Sequence, residues 1–277
     1  MKIRFKKMHL LNNRFMVVDG VNQSFKPSTQ HIREWALSDN IGFDQLLLIE
    51  PPRNKRVHFH YRIFNADGSE VGQCGNGALC IAQFLASENL CKESLIRLTT
   101  QNSFITLQLN QGKQFTANLG APIFIPQKIP FVGFSNGPIH LLETPFGSFD
   151  ACILSLGNPH CVLQVKDLKT AALLELGNYL NQSPHCFPQG VNVGFMRARH
   201  AKCIELRVYE RGIGETQACG SGACAAVIAG RLLKLLNKEV KVHLPGGQLQ
   251  VSWEGHAAPV FLTGEGESIF QSEVEYP

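Results

Sequence analysis

The sequence predicts an α+β protein of two pseudo-symmetric domains, each a β-barrel-like sheet wrapped around one central helix. Three observations carry that expectation. A nine-residue pattern, Glu-x-x-x-Cys-Gly-x-Gly-Ala, occurs at residues 70–78 and again at 215–223. Its cysteines, Cys74 and Cys219, stand 145 positions apart in a chain of 277, about half its length, which points to internal duplication. Each half also contains many strand-like runs and one apolar helical run directly after its cysteine, and a helix that is apolar on most sides must be buried.

Along the chain, residues 28–37 open with Ser28 and Thr29, good helix caps, and predict a first helix. In 57–64, Val57, Phe59, Tyr61 and Ile63 alternate with His58, His60, Arg62 and Phe64, the period of a half-buried strand. The apolar run 78–90 predicts the first central helix. Residues 103–119 read as two strands joined by a turn at Asn110, Gln111, Gly112 and Lys113. Pro122, Pro126, Pro130 and Gly120 interrupt the pattern over 118–130, so the domain boundary is placed there. With the chain end returning to the first half, the domains become 1–119 plus 266–277 and 120–265. In the second half, 168–180 carries a leucine face, 203–212 and 247–255 read as strands, and 223–236 is the second central helix.

Composition narrows the function. Hydrophobic residues make up 44% and charged residues 17%, with a net charge of +4, as in a soluble globular protein. The basic residues are dispersed and not interleaved with aromatics, so no nucleic-acid partner is expected. The basic start lacks a long apolar run, and the apolar stretch 222–236 is cut by Arg231 and Lys234, so neither a secretory leader nor a membrane span is expected. Nine cysteines without a Cys-x-x-Cys pair fit free thiols in a reducing cytoplasm, with no metal site. Cys91, Cys152, Cys161, Cys186 and Cys203 read as small buried hydrophobes.

The paired cysteines carry the chemistry. A thiol at a helix N-terminus meets the positive end of the dipole and unsatisfied N–H groups, which favour a thiolate and bind a carboxylate. Two such helix ends meeting in one cleft would set a thiol on each face of one carbon. Inverting a stereocentre by deprotonation needs just that: a base on one face and an acid on the other. The N–H groups would take up the charge that a carbanion delocalises onto an adjacent carboxylate. Two converging thiols would also form a disulfide when the empty site is oxidised.

The stretches RIFNADGSEVGQCGNGA and YERGIGETQACGSGACAA, with GFDQLL, GNPHCV and GVNVGF, resemble diaminopimelate epimerase over almost the whole chain and in the same order. The resemblance implies a pyridoxal-phosphate-independent epimerase, using no cofactor, that interconverts LL- and meso-2,6-diaminopimelate for lysine and peptidoglycan synthesis as a cytoplasmic homodimer. It implies Cys74 and Cys219 as the acid/base pair. Gly75, Asn76, Gly220 and Ser221 then hold the reacting carboxylate. His160 and Glu210 support the thiols or the substrate amines. Arg211, Asn65, Asn158 and Asn192 grip the distal carboxylate, and Asn13 and Gln45 make further substrate contacts. Arg211 offers a guanidinium fork suited to a carboxylate.

Read singly, these residues have plainer roles. Asn65 and Asn158 suit turns, Glu210 and Arg211 a surface pair, and His160 a structural core position. The chain also departs from the family pattern. Leu10 and Asn12 stand where glycines are usual, implying less freedom for positive φ, Arg14 replaces an aspartate, and Leu79 replaces an arginine. An epimerase of the same fold acting on proline, hydroxyproline or histidine remains the alternative. Retention of both cysteines argues against a binding scaffold.

Overall fold

The computed structural model describes residues 1–101, 103–110, 112–133, 137–169 and 171–276. It divides into two compact units, Met1–Asn118 with Thr263–Pro277 and Leu119–Leu262.

In the first unit, β1 (Lys2–Leu10) and β2 (Asn13–Asp19) form an antiparallel hairpin. Helix α1 (Thr29–Leu37) crosses to β3 (Gln45–Glu50), which runs parallel to β2. β4 (Phe59–Asn65) returns antiparallel, and the short β5 (Glu70–Val71) folds back on its end. Helix α2 (Gly75–Ser87) makes a second crossover to β6 (Leu95–Thr99), parallel to β4. β7 (Phe104–Leu109) and β8 (Phe115–Asn118) complete the meander, and the last strand of the chain (Glu267–Glu275) flanks β1.

Parallel neighbours need a crossover rather than a tight hairpin, and this explains why each helix sits where it does. The period-2 alternation of β3 then separates two cores. Leu46 and Leu48 pack with Ile32 and Trp35 of α1, whereas Leu47 faces Gly77 of α2. α2 touches β1 and β2 at one end of the strand order and β7 and β8 at the other, so the sheet curls around it. Its residues from Gly75 to Ala82 are all buried.

The second unit repeats this order. β9 (Ile139–Thr144), β10 (Gly147–Ser155) and β11 (Pro159–Gln164) are antiparallel. α3 (Leu173–Asn181) crosses to β12 (Asn192–His200), parallel to β11, and β13 (Cys203–Glu210) returns with β14 (Gly214–Thr216) on its end. α4 (Gly220–Leu232) crosses to β15 (Glu239–Leu244), parallel to β13, followed by β16 (Gly247–Trp253) and β17 (Val260–Gly264). Thus α3 corresponds to α1 and α4 to α2. Leu173, Leu176 and Leu180 of α3 pack on Val193 and Phe195 of β12, while α4 contacts β10 to β13, β15 and β16. Among the described residues, no helix is long and apolar enough to cross a membrane.

Several local expectations are corrected. The central helices begin at Gly75 and Gly220, not at 78 and 223, because each cysteine itself caps the helix and the glycines form its first turn. The leucine-faced helix begins at Leu173, since the Leu168 carbonyl is held by Arg207 Nη1 at 2.6 Å and the chain there is tied to β13. β4 is covered on both faces rather than half-buried, for α1 lies over the side carrying Phe64. Cys91 and Cys186 are partly exposed, unlike Cys152, Cys161 and Cys203. The β7–β8 turn forms, although Gln111 lies outside the described residues. At the β1–β2 turn, Leu11 (φ 50°) and Asn12 (φ 68°) both adopt left-handed conformations without a glycine. Asparagine tolerates that region, leucine poorly.

Candidate active site

In the first unit the cysteine is delivered by β5 and α2. Arg62 on β4 clamps Glu70 on β5 through Nε–Oε1 at 2.9 Å and Nη2–Oε2 at 2.8 Å, holding the glutamate below the ordinary carboxylate range. Four residues later Cys74, in extended conformation, caps α2: its Sγ accepts the Gly77 N–H at 3.2 Å. Gly77 has to be glycine, because a Cβ there would lie 2.5 Å from the Tyr61 hydroxyl and 3.2 Å from the cysteine sulfur.

The second unit has the same construction. Arg207 clamps Glu215 at 2.7 and 2.8 Å, and Cys219 caps α4 with its Sγ accepting the Gly222 N–H at 3.4 Å. In both copies the arginine lies twelve residues before the cysteine and the glutamate four before it. Gly75 and Gly220 open helices whose first N–H groups have no intrahelical acceptor, the arrangement that suits an anion.

Around these caps the polar partners differ. Asn13, Gln45 and Asn65 come together where β2, β3 and β4 adjoin, with Gln45 Nε2 donating to Asn65 Oδ1 at 2.9 Å and Asn65 Nδ2 to Ser69 Oγ at 3.1 Å. Asn13 Oδ1 and Gln45 Oε1 are buried acceptors with no donor among the described residues. Asn76 is buried in the first turn of α2. Arg14, opposite in sign to the usual residue, is matched by Asp44, which accepts from its backbone N–H at 2.7 Å and from Nη2 at 3.1 Å.

In the second unit one network joins most of the expected residues. His160 Nε2 donates to Asn158 Oδ1 at 3.0 Å, Asn158 Nδ2 donates to Ser221 Oγ at 3.3 Å, and Ser221 Oγ lies 3.6 Å from Cys219 Sγ. The Glu210 carboxylate, whose charge acts on the Cys219 thiol, accepts from Thr216 Oγ1 at 2.6 Å. Asn192 bridges the strands, donating to the Pro159 carbonyl at 3.1 Å and accepting the Arg211 N–H at 2.9 Å. The exposed Arg211 side chain donates to the Gln189 carbonyl at 3.1 Å. Glu210 and Arg211 are therefore not an ion pair with each other. His160 is buried and its pKa is pushed down to about 3, by burial first and Arg211 second, so it stays neutral. Burial, then the adjacent Glu210, pushes the Cys219 thiol well up, and burial raises Glu210.

Sequence reasoning missed Thr216, the two arginine clamps and the Asp44 partner of Arg14. The clamps were detectable: Arg62 and Arg207 are themselves related by the 145-residue repeat. Thr216 was not, because its counterpart is Val71.

Solved structures share this architecture across the chain at low sequence identity. A hydroxyproline epimerase from Agrobacterium vitis superposes with a TM-score of 0.73 at 14% identity, covering 99% of this chain and 92% of its own. A PhzF-family phenazine biosynthesis protein from Bacillus anthracis gives 0.69 at 13%, covering 100% of both chains. A methylitaconate-Δ-isomerase gives 0.66 at 14%, covering 99% and 95%. The family model for diaminopimelate epimerase matches residues 5–125 and 152–269, so the chain belongs to the diaminopimelate epimerase family and is an isomerase of the epimerase and racemase type.

Proposed function

We propose that this protein is a cofactor-independent, two-base epimerase that interconverts LL- and meso-2,6-diaminopimelate, acting in the cytoplasm as a homodimer in lysine and peptidoglycan synthesis. The observation that carries the reading is the matched pair of cysteine-capped, glycine-opened helices, one in each unit. In this reaction one sulfur removes the α-proton while the other delivers a proton to the opposite face, and the roles exchange in reverse. The first-turn N–H groups, including those of Gly75, Asn76, Gly220 and Ser221, hold the carboxylate and stabilise the charge developing on it.

Specificity for diaminopimelate rests on the second amino-acid head of the substrate. Arg211 presents a guanidinium for a distal carboxylate, and the family resemblance assigns Asn65, Asn158 and Asn192 to the same carboxylate. The buried, undonated oxygens of Asn13 and Gln45 are acceptors suited to an ammonium group. His160 and Glu210 act through Cys219, the first as a neutral donor to Asn158, the second through the charge of its carboxylate beside the thiol.

Proton NMR of the reduced protein with LL-diaminopimelate in D2O tests the proposal. Loss of the α-proton signal with appearance of the meso isomer is expected. No exchange with diaminopimelate, but exchange with hydroxyproline or proline, would transfer the same chemistry to another substrate and overturn the specificity.

A further inference from the structure

Tyr61 on β4 is fully buried, and its hydroxyl has no hydrogen-bond partner among the described residues. The hydroxyl and Cys74 Sγ border the same side-chain-free face of Gly77, 2.5 and 3.2 Å from the point where a Cβ would stand. Leu47 Cδ2 closes the third side at 3.2 Å. A phenol O–H removed from water without an acceptor is unfavourable, and such groups call for an explanation. The hydroxyl makes no hydrogen bond to Cys74 Sγ in this structure, and negative charge on that sulfur would draw it into one. Resting on the reading of Cys74 as an acid/base group, we infer that Tyr61 is a positioning residue whose hydroxyl donates a hydrogen bond to the Cys74 thiolate, making Cys74 the base of the resting enzyme.

The phenol itself keeps its proton, because burial and then the negative Cys74 raise its pKa well above the usual tyrosine value. No proton is transferred to or from the tyrosine. When the sulfur takes up the substrate α-proton, it becomes a neutral thiol and the hydrogen bond weakens. The second unit is built differently. Leu206 occupies the position 145 residues after Tyr61, so the phenol has no counterpart there, and the hydroxyl nearest Cys219 Sγ is that of Ser221 at 3.6 Å. Glu210 stands where the first unit has Asn65, and burial, then the charge of this carboxylate, raises the Cys219 thiol and keeps the proton on that sulfur. One duplicated scaffold thus carries a buried phenol near one cysteine and a carboxylate near the other.

The test is Tyr61→Phe, which removes one oxygen from a packed ring. The rate of iodoacetamide modification at Cys74 and Cys219 is followed against pH by peptide mass mapping. At pH 7, Cys74 of the variant is expected to react about tenfold more slowly, its midpoint moving up by about one pH unit, while Cys219 is unchanged. An unchanged Cys74 midpoint in a folded variant overturns the inference. Should the variant fail to fold, the 240-nm absorbance difference between the parent protein and Cys74→Ala decides: thiolate absorbance assigned to Cys74 at pH 7 supports the inference, and none overturns it. Neither measurement uses substrate, so both stand whether or not diaminopimelate is turned over.

Discussion

The buried histidine gives the protein a measurable pH dependence of stability. His160 is 1% exposed, and its pKa falls from the ordinary 6.5 to about 3 in the fold. Above pH 6.5 the ring is neutral in folded and unfolded chains alike and contributes nothing. Below that the unfolded chain binds a proton that the folded chain refuses, so stability falls as pH falls, and the loss continues until the pH nears the folded value. Integrating between those two values gives a loss of about 2 kcal/mol at pH 5. His160→Gln keeps a donor for Asn158 but does not titrate. Urea unfolding of both proteins at pH 7.5, 6 and 5 is therefore expected to show the parent losing about 2 kcal/mol more than the variant over that interval. His60 and His140, whose values burial also lowers, are present in both proteins and cancel. Parallel stability curves would refute the argument, since they would mean that His160 titrates alike in folded and unfolded chains.

Other consequences are read more simply. Cys74→Ala and Cys219→Ala each abolish epimerisation of diaminopimelate in the NMR assay; near-parental turnover by either variant would contradict a two-base reaction. Gly77→Ala forces a methyl within 2.5 Å of the Tyr61 hydroxyl and is expected to cost about 2 kcal/mol, seen as a lower urea midpoint. Ser28→Ala removes the side chain that accepts the His31 N–H at 3.2 Å at the start of α1, and costs about 1 kcal/mol by the same measurement. Leu11→Asn, at φ 50°, relieves an unfavourable left-handed leucine and raises stability by about 1 kcal/mol.

The sequence by itself determined the repeat, the two cysteines at helix starts, the α+β class and the family. Those features are local or periodic: a glycine-flanked cysteine before an apolar run dictates a capped buried helix, and 145-residue spacing reveals duplication whatever the fold. The tertiary structure decided which polar groups meet. Asn65 and Gln45 are 20 residues apart and become partners only through strand register, as do Asn192 and Arg211 at 19. Thr216 reaches Glu210 because β14 folds back on β13, and the helix starts shift by three residues because each cysteine is itself the cap and the glycines after it form the first turn. Burial, too, belongs to the fold. Tyr61 and Leu206 occupy equivalent positions in the repeat, yet only packing around Gly77 strands a hydroxyl beside one thiol, while Glu210 sits beside the other. Sequence periodicity fixes which face a side chain takes, but its pKa and partners depend on what the remaining strands and helices exclude from water.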